Sequence, residues 1–424
     1  MTPAAPPSRW AGLLGRLPGW FPAVGDQGVI AVTNLALSVM VSRTGGVAAL
    51  GVYALVSMTM LACLGFERTL VTDPWLSSRL SVFPRRAHQG DQMDATAFGA
   101  ELRTVVLGSS LLVALPTLVV AWVAGGGWGP WLIAGPCAAL FVLQDAGRYS
   151  AYKRADTWRA FVSDLLLMLV TLGGLGLGVL LGRLGIGWIL TSYALGFVVG
   201  MIPTARWLAG PVMPGQTGRW WRSVCRPLGM PLLQDSVAYF VSTNVSSYLL
   251  AALASKATVG GVRVVTTLYS PLAMIFTGMS MWLVPALTQR GHAASAGLRR
   301  KAMLGLSVIG ALVTLAAVAL GPWVAPLVFG HDANVSRMAL LLGGISTWMN
   351  AVASTWLATV KVFGRYRPIS WARTISGALM IVLMLVMAAT HSVDGYLMLL
   401  LLQNAAIALV AWMVQRSPST SDAR

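Results

Sequence analysis

Charged side chains are scarce in this chain. Asp, Glu, Lys and Arg make up 10% of its 424 residues, whereas 56% of the residues are hydrophobic. In an average soluble domain about a quarter of the residues are charged. The mean hydropathy of this chain, +0.72, is also far above that of soluble domains. The composition excludes a soluble globular protein and predicts that the chain lies in a lipid bilayer.

Cysteine and histidine are also rare, with three and four residues. Cys63, Cys137 and Cys225 lie far apart, and the histidines are scattered over predicted loops. This spacing indicates neither a disulfide nor a zinc or haem site. The sequence contains no GxxxxGK[ST] motif, so ATP hydrolysis is not expected. We therefore predict no metal and no cofactor.

Acidic residues are few where a membrane enzyme would need them. The connections on the predicted outer side are short, and their carboxylates are Asp332 and Asp394. A membrane glycosyltransferase would need a sizeable outer domain, or an acidic pair beside the first spans, for general acid–base chemistry. Enzymatic activity is therefore not expected.

Long hydrophobic runs occupy most of the chain. About 17–25 apolar residues suffice to cross a bilayer as a helix, and roughly twelve such stretches can be counted. Their approximate bounds are 26–43, 48–66, 104–124, 129–147, 160–181, 186–205, 232–254, 257–283, 303–328, 337–359, 372–390 and 395–414. The sequence predicts an all-α integral membrane protein with about twelve transmembrane helices.

The basic residues give the predicted orientation. With the N-terminus inside, nearly all of the 30 Lys and Arg lie on cytoplasmic segments. The exceptions are Arg43, Arg183, Lys256, Arg263 and Arg337. The positive-inside rule thus favours twelve spans with both termini cytoplasmic. The net charge of +17 follows from this topology and from contact with anionic headgroups, so nucleic acid is not expected as a partner.

A weak internal repeat divides the chain into two halves. Displacing the sequence by about 210 positions places Val32-Thr33-Asn34 on Ser242-Thr243-Asn244 and Gly51-Val52 on Gly261-Val262. With six spans in each half, this predicts two pseudo-symmetric six-helix lobes around a central cavity. The predicted segments are a cytoplasmic or interfacial segment 1–25, lobes 26–207 and 232–414, a cytoplasmic linker 208–231 and a cytoplasmic tail 415–424.

Charged residues inside membrane helices are costly and mark candidate functional positions. One group lies near the predicted cytoplasmic boundary, where its members could pair when the inner mouth is shut and separate when it opens. The alternative is a set of solvated helix ends with one or two structural ion pairs. The candidates for this gate are Asp26, Glu67, Arg68, Asp145, Arg148, Arg159, Asp164 and Asp235.

Nearer the bilayer midplane the candidates are polar. Asn34, Asn244 and Thr243 can line a wet cavity and hydrogen-bond sugar hydroxyls, or they can join helices to one another. Arg263, in the outer half of its span, can bind phosphate through bidentate hydrogen bonds, or it can extend towards the headgroups. Arg43, at the outer end of the first span, is a weaker companion. No acidic residue lies at a clear midplane position, which weighs against a drug–proton antiporter.

Several segments together resemble a known family. In the first half they are Asp26-Gln27-Gly28, Val32-Thr33-Asn34, Ser42-Arg43, Gly51-Val52-Tyr53-Ala54-Leu55, Gly65-Phe66-Glu67-Arg68, Asp73-Pro74, Gln144-Asp145, Arg148-Tyr149 and Asp164. In the second half they are Arg263, Thr266-Thr267-Leu268, Pro271 and Leu283-Val284-Pro285. They resemble polysaccharide flippases of the multidrug/oligosaccharidyl-lipid/polysaccharide (MOP) exporter superfamily, and the second set resembles actinobacterial-type members.

The resemblance implies two lobes that rock around a cavity. It implies flipping of a polyprenyl-diphosphate-linked oligosaccharide, an O-antigen type unit or a teichoic acid precursor across a bacterial plasma membrane. Arg263 and Arg43 would be cavity arginines, and glycosyltransferases or a polymerase of the same pathway would be partners. Twelve spans depart from the fourteen typical of lipid II flippases, which weighs against that substrate. Two other functions stay open: a drug or cation antiporter using Asp26, Asp164 or Asp235, and a non-transporting scaffold for glycan synthesis.

Overall fold

The computed structural model describes residues 21–73, 95–153, 156–205, 244–362, 367–386 and 392–416, with single positions between 218 and 240. Within these ranges the chain forms helices joined by turns and contains no strand. The helices are α1 (Phe21–Glu67), α2 (Ala95–Gly125), α3 (Ala134–Lys153), α4 (Thr157–Leu180), α5 (Ile186–Gly200), α6 (Ser246–Leu253), α7 (Lys256–Leu268), α8 (Ser270–Phe329), α9 (Arg337–Val362), α10 (Arg367–Val386) and α11 (Val393–Arg416). A π-helical turn, Arg68–Thr72, extends α1, and short 3-10 turns cover Pro130–Ile133 and Ile202–Thr204.

The helices confirm the predicted fold class. In the described part of the chain, six helices are long and apolar enough to cross a membrane, and α7 with the start of α8 makes a seventh that is bent by 54°. Two predicted spans lie within α1, and every other predicted span contains part of at least one helix. In its described part the chain is an all-α membrane protein with eleven α-helices, the first of which is broken in two.

A glycine separates the first two spans inside α1. Gly46 has φ 72° and ψ −177°, a backbone conformation that residues with a Cβ rarely adopt. The helical path is therefore broken between the predicted spans 26–43 and 48–66. This break is the connection that the hydropathy pattern predicts at the outer end.

One predicted connection is helical instead. α8 runs over 60 residues from Ser270 to Phe329 and so includes the predicted cytoplasmic connection 284–302. The sequence between 286 and 303 is rich in Ala, Leu, Arg and Lys, which are good helix formers outside a bilayer as well. Hydropathy marks where a helix leaves the membrane, but not where it ends.

α1 and α7 approach each other closely at two glycines. A Cβ on Gly51 would lie 1.8 Å from the carbonyl oxygen of Lys256, and a Cβ on Gly260 would lie 1.9 Å from that of Val47. Small residues of this kind let helix backbones touch in a membrane. We call this contact the glycine seam. It lies at the predicted outer end; the internal repeat aligns Gly51 with Gly261, the residue after Gly260.

The glycine seam connects the two predicted lobes. Within the first, α1 packs against α2 and α4, and α4 packs against α5; within the second, α9 packs against α8 and α11. α1 also contacts α7 and α8, and the space enclosed by these inter-lobe contacts is the candidate site. The lobe boundaries at 207 and 232 stay a prediction, since 208–231 is described only at single positions.

Candidate substrate cavity

A cavity of about 510 Å³ lies between the predicted lobes. Ligand sites typically measure about 300–1,000 Å³. Asn34 and Tyr53 of α1 line one side, and Arg263 and Thr267 of α7 line the other. The lining also includes Arg68, which follows Tyr53 along the chain. At the 1.5 Å rise per residue of a helix, the two residues are about 22 Å apart along the axis. The cavity therefore extends from the outer half of the molecule towards the predicted cytoplasmic end.

Arg263 is the cation in the outer half of this cavity. Its Nε is buried and has no hydrogen-bond partner, and its guanidinium carbon lies 5.8 Å from the centroid of the Tyr53 ring. Among the described residues, no carboxylate forms an ion pair with it. A buried guanidinium without a counter-ion is expensive, so this geometry favours an anion from a ligand. Arg263 thus lines the cavity, as one of its two predicted roles requires.

The threonines next to Arg263 differ from each other. Thr266 Oγ1 donates to the carbonyl oxygen of Arg263 at 3.1 Å, and its side chain is exposed to the cavity. Thr267 is buried, and its Oγ1 has no hydrogen-bond partner. α7 thus presents a guanidinium and a hydroxyl, one turn apart, to the same cavity.

The polar candidates from the midplane are only partly brought together. Asn34 lines the cavity. Asn244 lies half-buried in a π-helical turn just before α6, outside the cavity lining. Thr243 lies outside the described residues. The internal repeat shows only which positions correspond along the sequence. Which of these residues face the cavity depends on how each helix is rotated about its axis.

Arg43 is not in the cavity, contrary to the sequence prediction. Its side chain is exposed at the predicted outer end, where Nε donates to the carbonyl oxygen of Val328 at 2.8 Å and Nη2 donates to that of Leu327. Ser42 Oγ donates to the carbonyl oxygen of Phe329 at 2.7 Å. These carbonyls end α8 and lack helical partners. Arg43 therefore caps a helix of the second lobe from the first lobe.

We expect Arg43→Gln to lower the free energy of unfolding by about 0.5–1 kcal/mol, since a cation at a helix C-terminus interacts favourably with the helix dipole. The measurement is denaturant unfolding of the purified protein in detergent. Arg183→Gln is the control, because Arg183 is also exposed at the predicted outer end and none of the described side-chain bonds to the end of α8 involves it. Equal losses in the two variants would contradict the capping role.

A charge cluster lies at the predicted cytoplasmic end of the first lobe, with Arg148 at its centre. Arg148 Nη2 lies 2.5 Å from Asp26 Oδ2 and 2.9 Å from Asp164 Oδ2, and Nη1 lies 3.1 Å from Asp145 Oδ1. The Arg148 side chain is only 6% exposed. One guanidinium from α3 thus binds carboxylates from α1, α3 and α4.

Arg68 and Gln144 complete the cluster. Arg68 forms a bidentate pair with Asp145: its Nη2 donates to Oδ1 at 2.6 Å and its Nε donates to Oδ2 at 2.8 Å. Its side chain is 34% exposed and lines the cavity. Gln144 Nε2 donates to Asp164 Oδ1 at 2.7 Å and to Ser163 Oγ at 2.9 Å. These bonds fix the orientation of Asp164 at the cavity wall.

Among the described residues, the cluster contains more acids than bases. Its carboxylates are Asp26, Glu67, Asp145 and Asp164, and its cations are Arg68 and Arg148. Glu67 is buried and accepts a long hydrogen bond of 3.5 Å from Thr72 Oγ1. An excess of buried carboxylates is unfavourable unless they bind protons or a cation. The cluster can therefore exchange such ions with the cavity through Asp164.

Two of the predicted gate residues are not in the cluster. Arg159 is 50% exposed and pairs with Asp156 at 2.8 Å in the first turn of α4. Asp235 lies outside the described residues. The other predicted gate residues do come together, and their role as a gate stays a prediction.

Gln144, Thr267 and Tyr193 line the cavity but were not among the predicted site residues. Two of them have a signal in the sequence. Gln144 precedes Asp145 in an otherwise apolar span, and Thr267 follows Arg263 by four residues, which places both on one helix face. Tyr193 has no comparable signal.

The fold is similar to that of known transporters, although neither a protein-family model nor a curated protein matches the chain by sequence. The lipid II flippase MurJ in an inward closed conformation gives a TM-score of 0.69 at 11% identity, over 95% of this chain and 88% of that chain. An inward-facing multidrug resistance MATE family transporter of the MOP superfamily gives 0.59 at 17% identity, over 92% and 94%. This chain has the MOP transporter fold.

A third MOP transporter, from Pyrococcus furiosus, is described as having a binding pocket of reverse polarity. It gives a TM-score of 0.54 at 17% identity, over 94% of this chain and 93% of that chain. The likeness confirms the predicted fold class, an all-helical fold shared with these twelve-helix transporters. Because one fold serves flippases and drug transporters alike, the substrate has to be argued from the cavity.

Proposed function

We propose that this chain is a lipid-linked glycan flippase of a bacterial plasma membrane, with both termini cytoplasmic. It would move a polyprenyl-diphosphate-linked oligosaccharide or a related cell-surface polysaccharide precursor from the inner to the outer leaflet by alternating access. The supporting observation is Arg263, a guanidinium without a carboxylate partner among the described residues, in the outer half of a cavity whose lining is largely apolar and whose other charged side chains are Arg68, Arg148 and Asp164. Such a site attracts an anionic headgroup more than a cationic drug.

The edges of the cavity are consistent with a lipid tail that stays in the bilayer. Between α1 and the start of α8 the lining includes Ala31 and Met274, and the neighbouring Val32 and Ile275 are 49% and 46% exposed. At this edge a substrate can place its polar headgroup inside the cavity while its apolar lipid tail stays outside in the bilayer. Elsewhere α1 is joined to α6 of the second predicted lobe by the 2.7 Å hydrogen bond between Thr59 Oγ1 and Tyr248 Oη.

The structure also supports a direction of opening. The glycine seam, with Ser42 and Arg43 on the end of α8, closes the predicted outer end. The cavity extends to Arg68 at the predicted cytoplasmic end. This arrangement corresponds to a state that receives substrate from the cytoplasmic leaflet, and release would require the outer contacts to separate.

The test is depletion of the protein followed by mass spectrometry of polyprenyl-diphosphate glycans extracted from membranes. We expect one glycolipid to accumulate and the matching surface polymer to disappear. Wild-type protein should reverse both changes, whereas Arg263→Gln should restore less than about a tenth of the export, the loss expected for a charge-assisted bond to a phosphate.

Arg337→Gln is the matched control for this rescue. Arg337 is also an arginine of the second half, but it is exposed at the start of α9, outside the cavity lining. Full rescue by both variants would remove Arg263 from the site. An unchanged glycolipid pool after depletion, in a strain without a second flippase, would contradict the proposed function.

A drug or cation antiporter is the second candidate, favoured by the acid excess of the charge cluster. Overexpression would then raise drug resistance, and efflux would depend on a proton or sodium gradient and on Asp164. Loss of such efflux in Asp164→Asn, with no change in glycolipids on depletion, would select this function over the flippase.

A further inference from the structure

The inference concerns one hydroxyl group in the cavity. Threonines inside membrane helices usually satisfy their hydroxyl on the carbonyl oxygen four residues earlier. In this protein such bonds measure 2.7–2.9 Å at Thr33, Thr59, Thr69, Thr117, Thr314, Thr347 and Thr355. Thr267 departs from this pattern, because its Oγ1 is buried without a partner.

The neighbouring threonine explains why Thr267 is left without its usual acceptor. That acceptor would be the carbonyl oxygen of Arg263, which already receives the hydroxyl of Thr266 at 3.1 Å. A helical carbonyl also accepts the backbone N–H four residues later, and a carbonyl oxygen has two lone pairs. Both lone pairs are therefore in use, and the Thr267 hydroxyl is available to another acceptor.

The position of Thr267 indicates what that acceptor is. The residue is 5% exposed and lines the cavity. Arg263 lies one turn earlier on the same helix face, about 6 Å away at the rise of a helix, and its Nε is also buried without a partner. Thr171, the other described helical threonine whose hydroxyl is both buried and without a partner, lies against Gly196 instead of lining the cavity.

We propose that Arg263 and Thr267 together form a phosphate-binding subsite, which rests on and deepens the proposed flippase function. The guanidinium donates a charge-assisted hydrogen bond to one phosphate oxygen, and the Thr267 hydroxyl donates to another oxygen of the same group or of the adjoining phosphate. Two donors of fixed spacing select a multi-oxygen anion over a neutral sugar. Thr267 thus determines specificity for the diphosphate end of the substrate.

The experiment measures binding of farnesyl diphosphate, with farnesol as the uncharged reference, to the purified full-length protein in detergent by calorimetry. Wild-type protein is expected to bind the diphosphate at least tenfold more tightly than farnesol. Thr267→Val, which removes only the hydroxyl, is expected to weaken diphosphate binding about tenfold, the value of one hydrogen bond to a charged group. Thr267→Ser should retain it.

Thr347→Val is the matched control, because the hydroxyl of Thr347 donates to the carbonyl oxygen of Gly343 at 2.8 Å within its own helix and the residue lies outside the cavity lining. Its affinity for farnesyl diphosphate should stay within about twofold of wild type. Thermal unfolding separates binding from folding. Removal of an unsatisfied buried hydroxyl should leave the melting temperature of Thr267→Val unchanged or raise it, whereas a structural role predicts a fall.

Equal affinity of Thr267→Val and wild type for farnesyl diphosphate would overturn the inference. So would a wild-type protein that binds farnesol as tightly as the diphosphate. In either case the flippase function is judged separately by the glycolipid pool after depletion. A flippase that fails this binding test still accumulates glycolipid on depletion, so the two failures are distinguishable.

Discussion

Arg148→Met is expected to lower the free energy of unfolding by about 3–5 kcal/mol, the cost of removing one partner from a buried ion pair. The methionine has a similar length and fills the space, so the effect reports charge and hydrogen bonding. Arg148 lies within 3.1 Å of Asp26, Asp145 and Asp164, and its removal leaves these buried carboxylates close together. Arg68 reaches only Asp145 among them.

The measurement is reversible unfolding in detergent, followed by tryptophan fluorescence. Arg159→Met is the matched control, since Arg159 also pairs with an aspartate, at 2.8 Å, but is 50% exposed. An exposed pair of this kind contributes about 0–1 kcal/mol. If the two variants lose similar amounts, the cluster around Arg148 does not stabilise the first lobe.

Gly260→Ala is expected to prevent closure of the predicted outer end and to abolish transport. The added Cβ would lie 1.9 Å from the carbonyl oxygen of Val47, and a backbone atom cannot turn away as a side chain can. The helices α1 and α7 must therefore separate at the glycine seam. Gly51→Ala should act in the same way from the other helix, because its Cβ would lie 1.8 Å from the Lys256 carbonyl oxygen.

The opening can be measured with a thiol in the cavity. In a background without the native cysteines, Thr266→Cys places a reporter on the exposed cavity face of α7. A membrane-impermeant maleimide added from the outer side should label it at least about tenfold faster in Gly260→Ala than in the parent, as a shift of the population towards the open state requires.

Gly65→Ala is the control for the glycine seam. It lies on α1, like Gly51, and its added Cβ would have no atom within 4 Å. This variant should transport and label like the parent. Normal transport by Gly260→Ala and Gly51→Ala, with the parent's labelling rate, would show that the glycine seam does not close the cavity.

The charge cluster shows how far the sequence predicts a site. Depth in the bilayer follows from distance along a helix, so Asp26, Asp145 and Asp164 could be placed near one boundary. Which groups meet depends on helix rotation and packing. Arg148 and Arg159 share that predicted depth, yet one is 6% exposed among carboxylates and the other is 50% exposed.

The outer end shows the same limit for arginines. Arg43 and Arg263 were both predicted for the cavity because each is a basic residue in an apolar region on the outer side. In the structure Arg263 lines the cavity, whereas Arg43 caps the end of α8 with bonds across 284 and 285 residues. The sequence does not show which helix end a side chain contacts after folding.

The sequence by itself determined the membrane environment, the helical class and the twelve segments, and it predicted their orientation. These follow from hydropathy and charge along the chain, because a bilayer acts on each segment separately. The tertiary structure alone decided the partners of Arg148, the cap on α8, the glycine seam and the unbonded hydroxyl of Thr267. Each of these depends on distances between helices, which arise only when the segments pack together.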